Sequence, residues 1–295
     1  MNKEEIQKKI EEIEGQMSGP DFWSNKEKAK RFIRELQRLK DDLEGVGKYD
    51  KGDAILTIFS GAGGVDAEDF AKMLLDMYLR FFHKSNLEAR ELDKSENDFG
   101  GIRSITLEIS GKSNGLGAYG ALKNESGVHR LVRMSPFNAK GLRHTSFAMV
   151  EFVPKLPKQS EVEIRDEDLR VEFSRSSGPG GQNVNKRETA VRVVHIPTNI
   201  AVRVDAERTQ LANKEKALQI LAGKLYHKEE EDRKLQEKGL QTRGNTEPEW
   251  GSQIRSYVLH PYKLVKDHRT GIEAHDAEAV LNGELDEFIK AEKEL

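Results

Sequence analysis

No cysteine occurs among the 295 residues, which excludes disulfides and thiolate-bound metal. The eight histidines show no paired ligand spacing, so a protein without metal or cofactor is expected. Long apolar runs are also missing. Nothing approaches the roughly 20 residues a bilayer helix needs, 34% of the chain is charged, and mean hydropathy is -0.71. Residues 1–15 carry a charged helical pattern without the apolar centre of a secretory signal. These absences predict a cytoplasmic protein that does not meet a membrane. A marked excess of one charge is absent too, the formal net charge being -3. The distribution is uneven, however: between Arg170 and Lys224 ten basic side chains stand against five acidic ones, while Glu284, Asp286, Glu287, Glu292 and Glu294 make the C-terminus acidic. Such polarity suits contact with RNA on some faces and water on others.

The length predicts two or three domains, of α+β class. Ile6, Ile10, Ile13 and Met17 share a helical face, Ser18-Gly19-Pro20-Asp21 breaks the helix, and Phe32, Leu36, Leu39, Leu43 and Val46 repeat the stripe. This predicts an N-terminal helical hairpin over residues 1–50. A strand over 54–59 runs through Ser60-Gly61-Ala62-Gly63-Gly64 into a helix near Asp66 that buries Phe70, Leu74, Met77, Tyr78 and Phe81. The loop lacks the glycine spacing and Lys-Ser/Thr ending of a nucleotide cradle. It retains backbone N–H groups and acids at a helix start, which can meet a carbonyl or phosphate oxygen.

Strands are expected over 87–92 and around Ile105, Leu107 and Ile109, whose alternation predicts a sheet with one solvated face. A short helix near 119–123 precedes a long hairpin, 128–134 and 144–153, with an elaborate tip at 135–143. The mixed sheet-plus-helix domain is placed at 51–157. Strands at 162–164, 170–173, 190–196 and 200–204, then a long helix over 207–237 with Leu211, Leu218, Leu221 and Leu225 inward, make a small α/β domain at 158–240. The segment 241–295 follows.

Between 176 and 187 the chain reads Ser-Ser-Gly-Pro-Gly-Gly-Gln-Asn-Val-Asn-Lys-Arg, a loop that lets the backbone approach a ligand closely and that no core requires. This loop resembles the peptidyl-tRNA hydrolysis loop of bacterial class I peptide chain release factors. Gly127-Val128-His129-Arg130-Leu131-Val132-Arg133, then Ser135-Pro136-Phe137, then Arg143-His144-Thr145-Ser146-Phe147 resemble the codon-reading hairpin of the release factor 2 type. The proline-x-threonine tripeptide of the release factor 1 type is absent. Trp250 to Tyr257 and Val265 to Gly271 resemble the C-terminal part that packs on the codon-reading domain. The N-terminal helical segment is shorter than is usual in the family.

The resemblance implies a translation termination factor for UGA and UAA that triggers peptidyl-tRNA hydrolysis, with no free-standing enzyme activity. A codon-independent ribosome-rescue hydrolase is the alternative, since it shares Gly-Gly-Gln. By resemblance, Gly180, Gly181 and Gln182 carry the hydrolysis. Ser135, Pro136, Phe137, His144 and Thr145 face the codon, and Gly64 and Asp66 read its first uridine. Trp250 is a switch-loop contact and Gln182 a methylation site. The implied partners are the rRNA of the decoding site and peptidyl transferase centre, the mRNA stop codon, peptidyl-tRNA, release factor 3 and a glutamine methyltransferase. Hydroxyls with Phe and His rings suit this task independently, because unpaired bases are read by edge hydrogen bonds and stacking.

Overall fold

The computed structural model describes residues 3–17, 29, 32–33, 35–36, 39, 47, 49–113, 115–156, 164–175, 188–237 and 251–293. The fold is α+β and multidomain, with mixed sheets and helices. It divides into two compact units, 1–50 and 51–295.

In the first unit, helix α1 (Lys3–Met17) packs Ile10 and Ile13 with Leu39, flanked by Met17, Phe32 and Leu36. Two apolar stripes at helical spacing thus share one small core. Leu43 and Val46 lie outside the described residues.

The second unit is built on an eight-stranded sheet in the order β13-β12-β11-β6-β7-β1-β3-β2. Its strands are β1 (Ala54–Ser60), β2 (Glu88–Glu96), β3 (Ile102–Ser110), β6 (Gly127–Met134), β7 (Arg143–Pro154), β11 (Gln253–Val258), β12 (Leu264–Asp267) and β13 (Glu273–Ala274). A two-stranded ribbon, β4 (Lys112–Ser113) with β5 (Leu116–Gly117), leads into the short helix α3 (Ala118–Leu122). Helix α2 (Val65–Lys84) covers one face, and its stripe of Phe70, Leu74, Met77, Tyr78 and Phe81 is buried as the spacing predicts. β11 joins β6 in parallel register, Tyr257 opposite Leu131, so the C-terminal strands extend the same sheet. Two short helices, α5 (Ala277–Leu281) and α6 (Asp286–Glu292), close the chain.

The expected solvated face of the sheet is only partly so. A three-stranded sheet, β8 (Leu169–Ser174), β9 (Ala190–His195) and β10 (Ile200–Val204), and helix α4 (Gln210–Glu237) bring Val191, Val193, Val202, Val204, Ile220 and Leu221 against Ile55, Leu92 and Val153. Ala54 to Ile58 are consequently buried on both sides. Gly223 permits the close approach, because a Cβ there would lie 2.4 Å from the Pro154 carbonyl oxygen. Lys224 Nζ reaches Glu151 at 2.5 Å beside it.

Two expectations for the long helix change. It begins at Gln210, after Thr209 Oγ1 accepts from the Ala212 N–H at 3.3 Å and buried Asn213 ties back to Glu207 and Thr189. Leu211 is 69% exposed rather than inward, because it sits in the first turn, before the helix reaches the sheet at Ala217. Leu221 and Leu225 are buried and Leu218 packs beside them. Of the strand expected over 162–164, only Ile164 is described, and it packs against the same cluster.

Candidate codon-reading site

One carboxylate organises the end of the sheet. The loop after β1 turns into α2 through Gly64, whose φ of 61° is a left-handed conformation suited to glycine. The turn is held to β7 by Gly61 N–H donating to the Phe147 carbonyl at 2.8 Å and Phe147 N–H donating to that of Ala62 at 2.9 Å. This aims the first turn of α2 at the β6–β7 tip. Asp66, only 4% exposed, accepts the Ser135 hydroxyl on Oδ2 at 2.5 Å, His144 Nδ1 on the same oxygen at 3.2 Å, and Arg133 on Oδ1 at 3.1 Å. Arg133 also donates to Asp69 at 2.6 Å, so one guanidinium bridges two carboxylates of one helical turn.

The tip is closed by its own bonds. Ser135 N–H donates to the Leu142 carbonyl at 3.1 Å, Phe137 N–H to Ser135 Oγ at 3.2 Å, and Gly141 N–H to the Asn138 carbonyl at 2.9 Å. Asn138 Nδ2 meets His144 Nε2 at 3.0 Å, so both ring nitrogens of His144 are engaged and the ring is oriented. Ser135 is buried, Pro136 and Thr145 are exposed, and Phe137 is 48% exposed. The arrangement presents an aromatic face, a hydroxyl and an imidazole on a rigid support, which is suited to holding an unpaired base.

Asp66 faces inward rather than out. Its carboxylate is occupied by three side chains, whereas no described hydrogen bond engages the backbone N–H of Val65 or Asp66, the first donors of the helix. Ser135, Phe137, His144, Thr145, Gly64 and Asp66 are thus brought to one place. Gly180, Gly181, Gln182 and Trp250 lie outside the described residues. Arg133, Asp69 and Asn138 were not singled out from the sequence; Arg133 and Asp69 are 64 residues apart, and no local pattern announces such a pairing.

A second charged cluster gathers about Glu125, which precedes β6, whereas Ser135 follows it. Arg255, fully buried, forks onto Glu125 at 2.7 and 3.0 Å, reaches Glu292 at 2.6 Å and Asp267 at 3.4 Å, and lies 4.5 Å from the centre of the Phe288 ring. Tyr78 donates to Glu125 at 2.7 Å. Burial drives His129 down to about 3, with Arg255 adding to it, so its ring is neutral. Burial and the Glu125 charge push Glu292 up to about 9. Two guanidiniums, Arg255 and Arg269, face the carboxyls of Glu125, Asp267 and Glu292, one negative charge too many for a dry site. Among the described residues no group of His, Cys, Asp and Glu could hold a metal ion, and no helix is long and apolar enough to cross a membrane.

Two family models match, the PCRF domain over residues 38–150 and the RF-1 domain over 158–269. Peptide chain release factor 2 of Petrotoga mobilis is 41% identical over 340 residues, covering 99% of this chain and 91% of that protein. That alignment is longer than this chain, so the relative carries residues without a counterpart here. Peptide chain release factor 2 of Lactiplantibacillus plantarum is 48% identical over 257 residues, covering 87% of this chain and 67% of that protein. The solved structure of RF2 of Thermus thermophilus matches with a TM-score of 0.72 and 42% identity, covering 97% of this chain and 80% of that one.

Proposed function

This chain belongs to the peptide chain release factor 2 family and acts in translation termination at UGA and UAA on the ribosome; we propose that it reads the codon with a head built on Asp66 and completes ester hydrolysis with the loop at 180–182. The observation that carries the first half is the convergence of Ser135, His144 and Arg133 on Asp66. Asp66 is a positioning residue: it fixes the hydroxyl and the imidazole, leaving Phe137 to stack and Thr145 to bond at a base edge. The free N–H groups of Val65 and Asp66, beyond Gly64, meet an oxygen of the first uridine.

For hydrolysis, water attacks the ester carbonyl of peptidyl-tRNA, the bond to the ribose oxygen breaks, and the proton passes to that oxygen. Negative charge develops on the carbonyl oxygen, and a donor already aimed at it lowers the barrier. The backbone N–H of Gln182 fills that role, with Gly180 and Gly181 allowing the geometry and the Gln182 side chain shaping the water site. The ribosome supplies the remaining groups.

The domain assignment proposed is a helical segment at 1–50, a codon-recognition domain at 51–157, a hydrolysis domain at 158–240, and a C-terminal segment at 241–295 seated on the codon-recognition domain. Trp250 is assigned to a switch loop, and Gln182 to modification by a glutamine methyltransferase. The place of action is the cytoplasm. Release factor 3 is a further proposed partner.

Peptide release on ribosomes programmed with UAA, UAG, UGA or no codon tests the reading. Release at UGA and UAA with little at UAG is the expected result. Release without a codon would favour a ribosome-rescue hydrolase instead.

A further inference from the structure

The end of the large sheet that bears the codon-reading tip bears another built loop. β1 and β2 both pair antiparallel with β3, β1 pairs antiparallel with β7, and β7 with β6, so β2, β1 and β6 all run the same way. The turn after β2, residues 97–101, therefore emerges at the same end as the tip. Three strand spacings separate them, about 14 Å.

This turn is fixed by its own bonds. Asn97 Oδ1 accepts from Phe99 N–H at 2.9 Å and from Gly101 N–H at 2.7 Å, and Asn97 N–H donates to the Gly101 carbonyl at 2.8 Å. Asn97 Nδ2 donates to the Glu68 carboxylate, which also receives Arg103 Nε at 3.2 Å. Glu68 is in the first turn of α2, two residues from Asp66. The loop and the reading head thus rest on one support.

On that support Phe99 is 78% exposed, the most exposed large apolar side chain among the described residues. A turn held by an Asn side chain needs no phenylalanine at its apex, and leaving one in water forgoes about 1.5–3 kcal/mol of burial. Charges flanking the turn are paired, Lys94 with Glu96 and Arg103 with Glu68, so the loop offers a flat ring rather than a field. Rigid exposed rings are what unpaired bases stack on, at about 1–3 kcal/mol per base. The partner met at this end of the sheet is RNA, and its strand does not stop at three bases.

We propose that Phe99 is a stacking platform for an unpaired nucleobase adjoining the stop codon, outside the three bases read by the tip. The inference rests on the codon-reading assignment made above. The base belongs to the messenger or to the ribosomal RNA around it, and the stacking chemistry is the same for both.

The test is peptide release with the full chain on ribosomes programmed with UGA, using Phe99→Ala, Phe99→Leu and Phe99→Trp. Phe99→Ala and Phe99→Leu should raise the half-saturating factor concentration about tenfold, the equivalent of about 1.4 kcal/mol, while the rate at saturation is unchanged. Phe99→Trp should match the parent or bind more tightly. The ratio of variant to parent should hold between about 50 and 200 mM salt, because stacking releases no counterions. A messenger that ends at the third codon base separates the sources: the ratio falls to one if the base is in the messenger and persists if it is ribosomal. Phe99→Ala within twofold of the parent would overturn the inference. Phe99→Leu behaving as the parent would also overturn it, by indicating an apolar contact such as a protein side chain makes. A ratio that collapses with added salt would do the same. A parent that releases no peptide at UGA overturns the termination reading itself, whereas a normal parent with a silent Phe99→Ala overturns this inference alone.

Discussion

The Ser135 hydroxyl and the Asp66 carboxylate, 69 residues apart in the chain, meet at 2.5 Å at the base of the β6–β7 tip. A hydroxyl–carboxylate bond of that length is charge-assisted, and the same carboxylate also holds Arg133 and His144. Asp66→Ala should therefore release three side chains at once. We expect its half-saturating concentration at UGA to rise about a hundredfold, near the 1–3 kcal/mol cost of unpairing a buried polar group. Ser135→Ala, which removes one bond, should cost about tenfold on the same scale. If Asp66→Ala binds its codon like the parent, the carboxylate is not the support of the reading head.

At residues 180–182, proposed above to carry hydrolysis, backbone and side chain can be separated. With the Gln182 N–H as the donor to the developing oxyanion, Gly181→Ala restricts the torsions that aim it, while Gln182→Ala keeps it. Single-turnover release at saturating factor should fall about 10²–10³-fold for the glycine change and less for the glutamine change. The reverse order would place catalysis on the side chain.

Glu292 gives a pH signature. Folding raises its carboxyl from 4.5 to about 9, through burial and the charge of Glu125. An acid raised in this way contributes stability that is whole below 4.5 and is lost as pH rises toward and through 9. Glu292→Gln, neutral throughout, should remove that loss, so urea unfolding should show the variant gaining on the parent by more than about 1 kcal/mol between pH 5 and 9. Parallel stability curves would show that Glu292 is ionised in the folded protein. Arg255→Ala, in contrast, leaves buried acids without their cation and should cost about 3–5 kcal/mol at pH 7.

Gly223→Ala sets helix propensity against packing. In an isolated helix the change is worth about 1 kcal/mol in favour of alanine. Here the added Cβ would lie 2.4 Å from the Pro154 carbonyl oxygen, so a thermal melt should instead show loss of stability. A raised melting temperature would mean that α4 and β7 are not held at this separation.

Deleting residues 1–46 removes the small core of Ile10, Ile13 and Leu39 whole and leaves the residues of the core around Ile55 and Val153 in place. Codon-dependent release should remain measurable at saturating factor. Its complete loss from a folded remainder would make the N-terminal unit essential to the reaction.

Periodicity was legible because it is local. The four-and-three spacing of Phe70, Leu74, Met77, Tyr78 and Phe81 determines which face of α2 is buried, whatever it packs on. Alternation marked β3 in the same way, and the motif strings identified the family without any geometry. The stripe failed at Leu211, since a pattern says which face a residue shares and not whether the neighbouring element extends that far. Only the fold decided that β11 joins β6, and hence that Arg255 meets Glu125 across 130 residues in a dry interior. Only the fold turned Asp66 inward onto Ser135 and His144, and placed Phe99 at the same end of the sheet as Phe137. A side chain's partner across such separations depends on strand order and register, and these are settled by the whole chain burying its apolar surface at once rather than by any stretch of it.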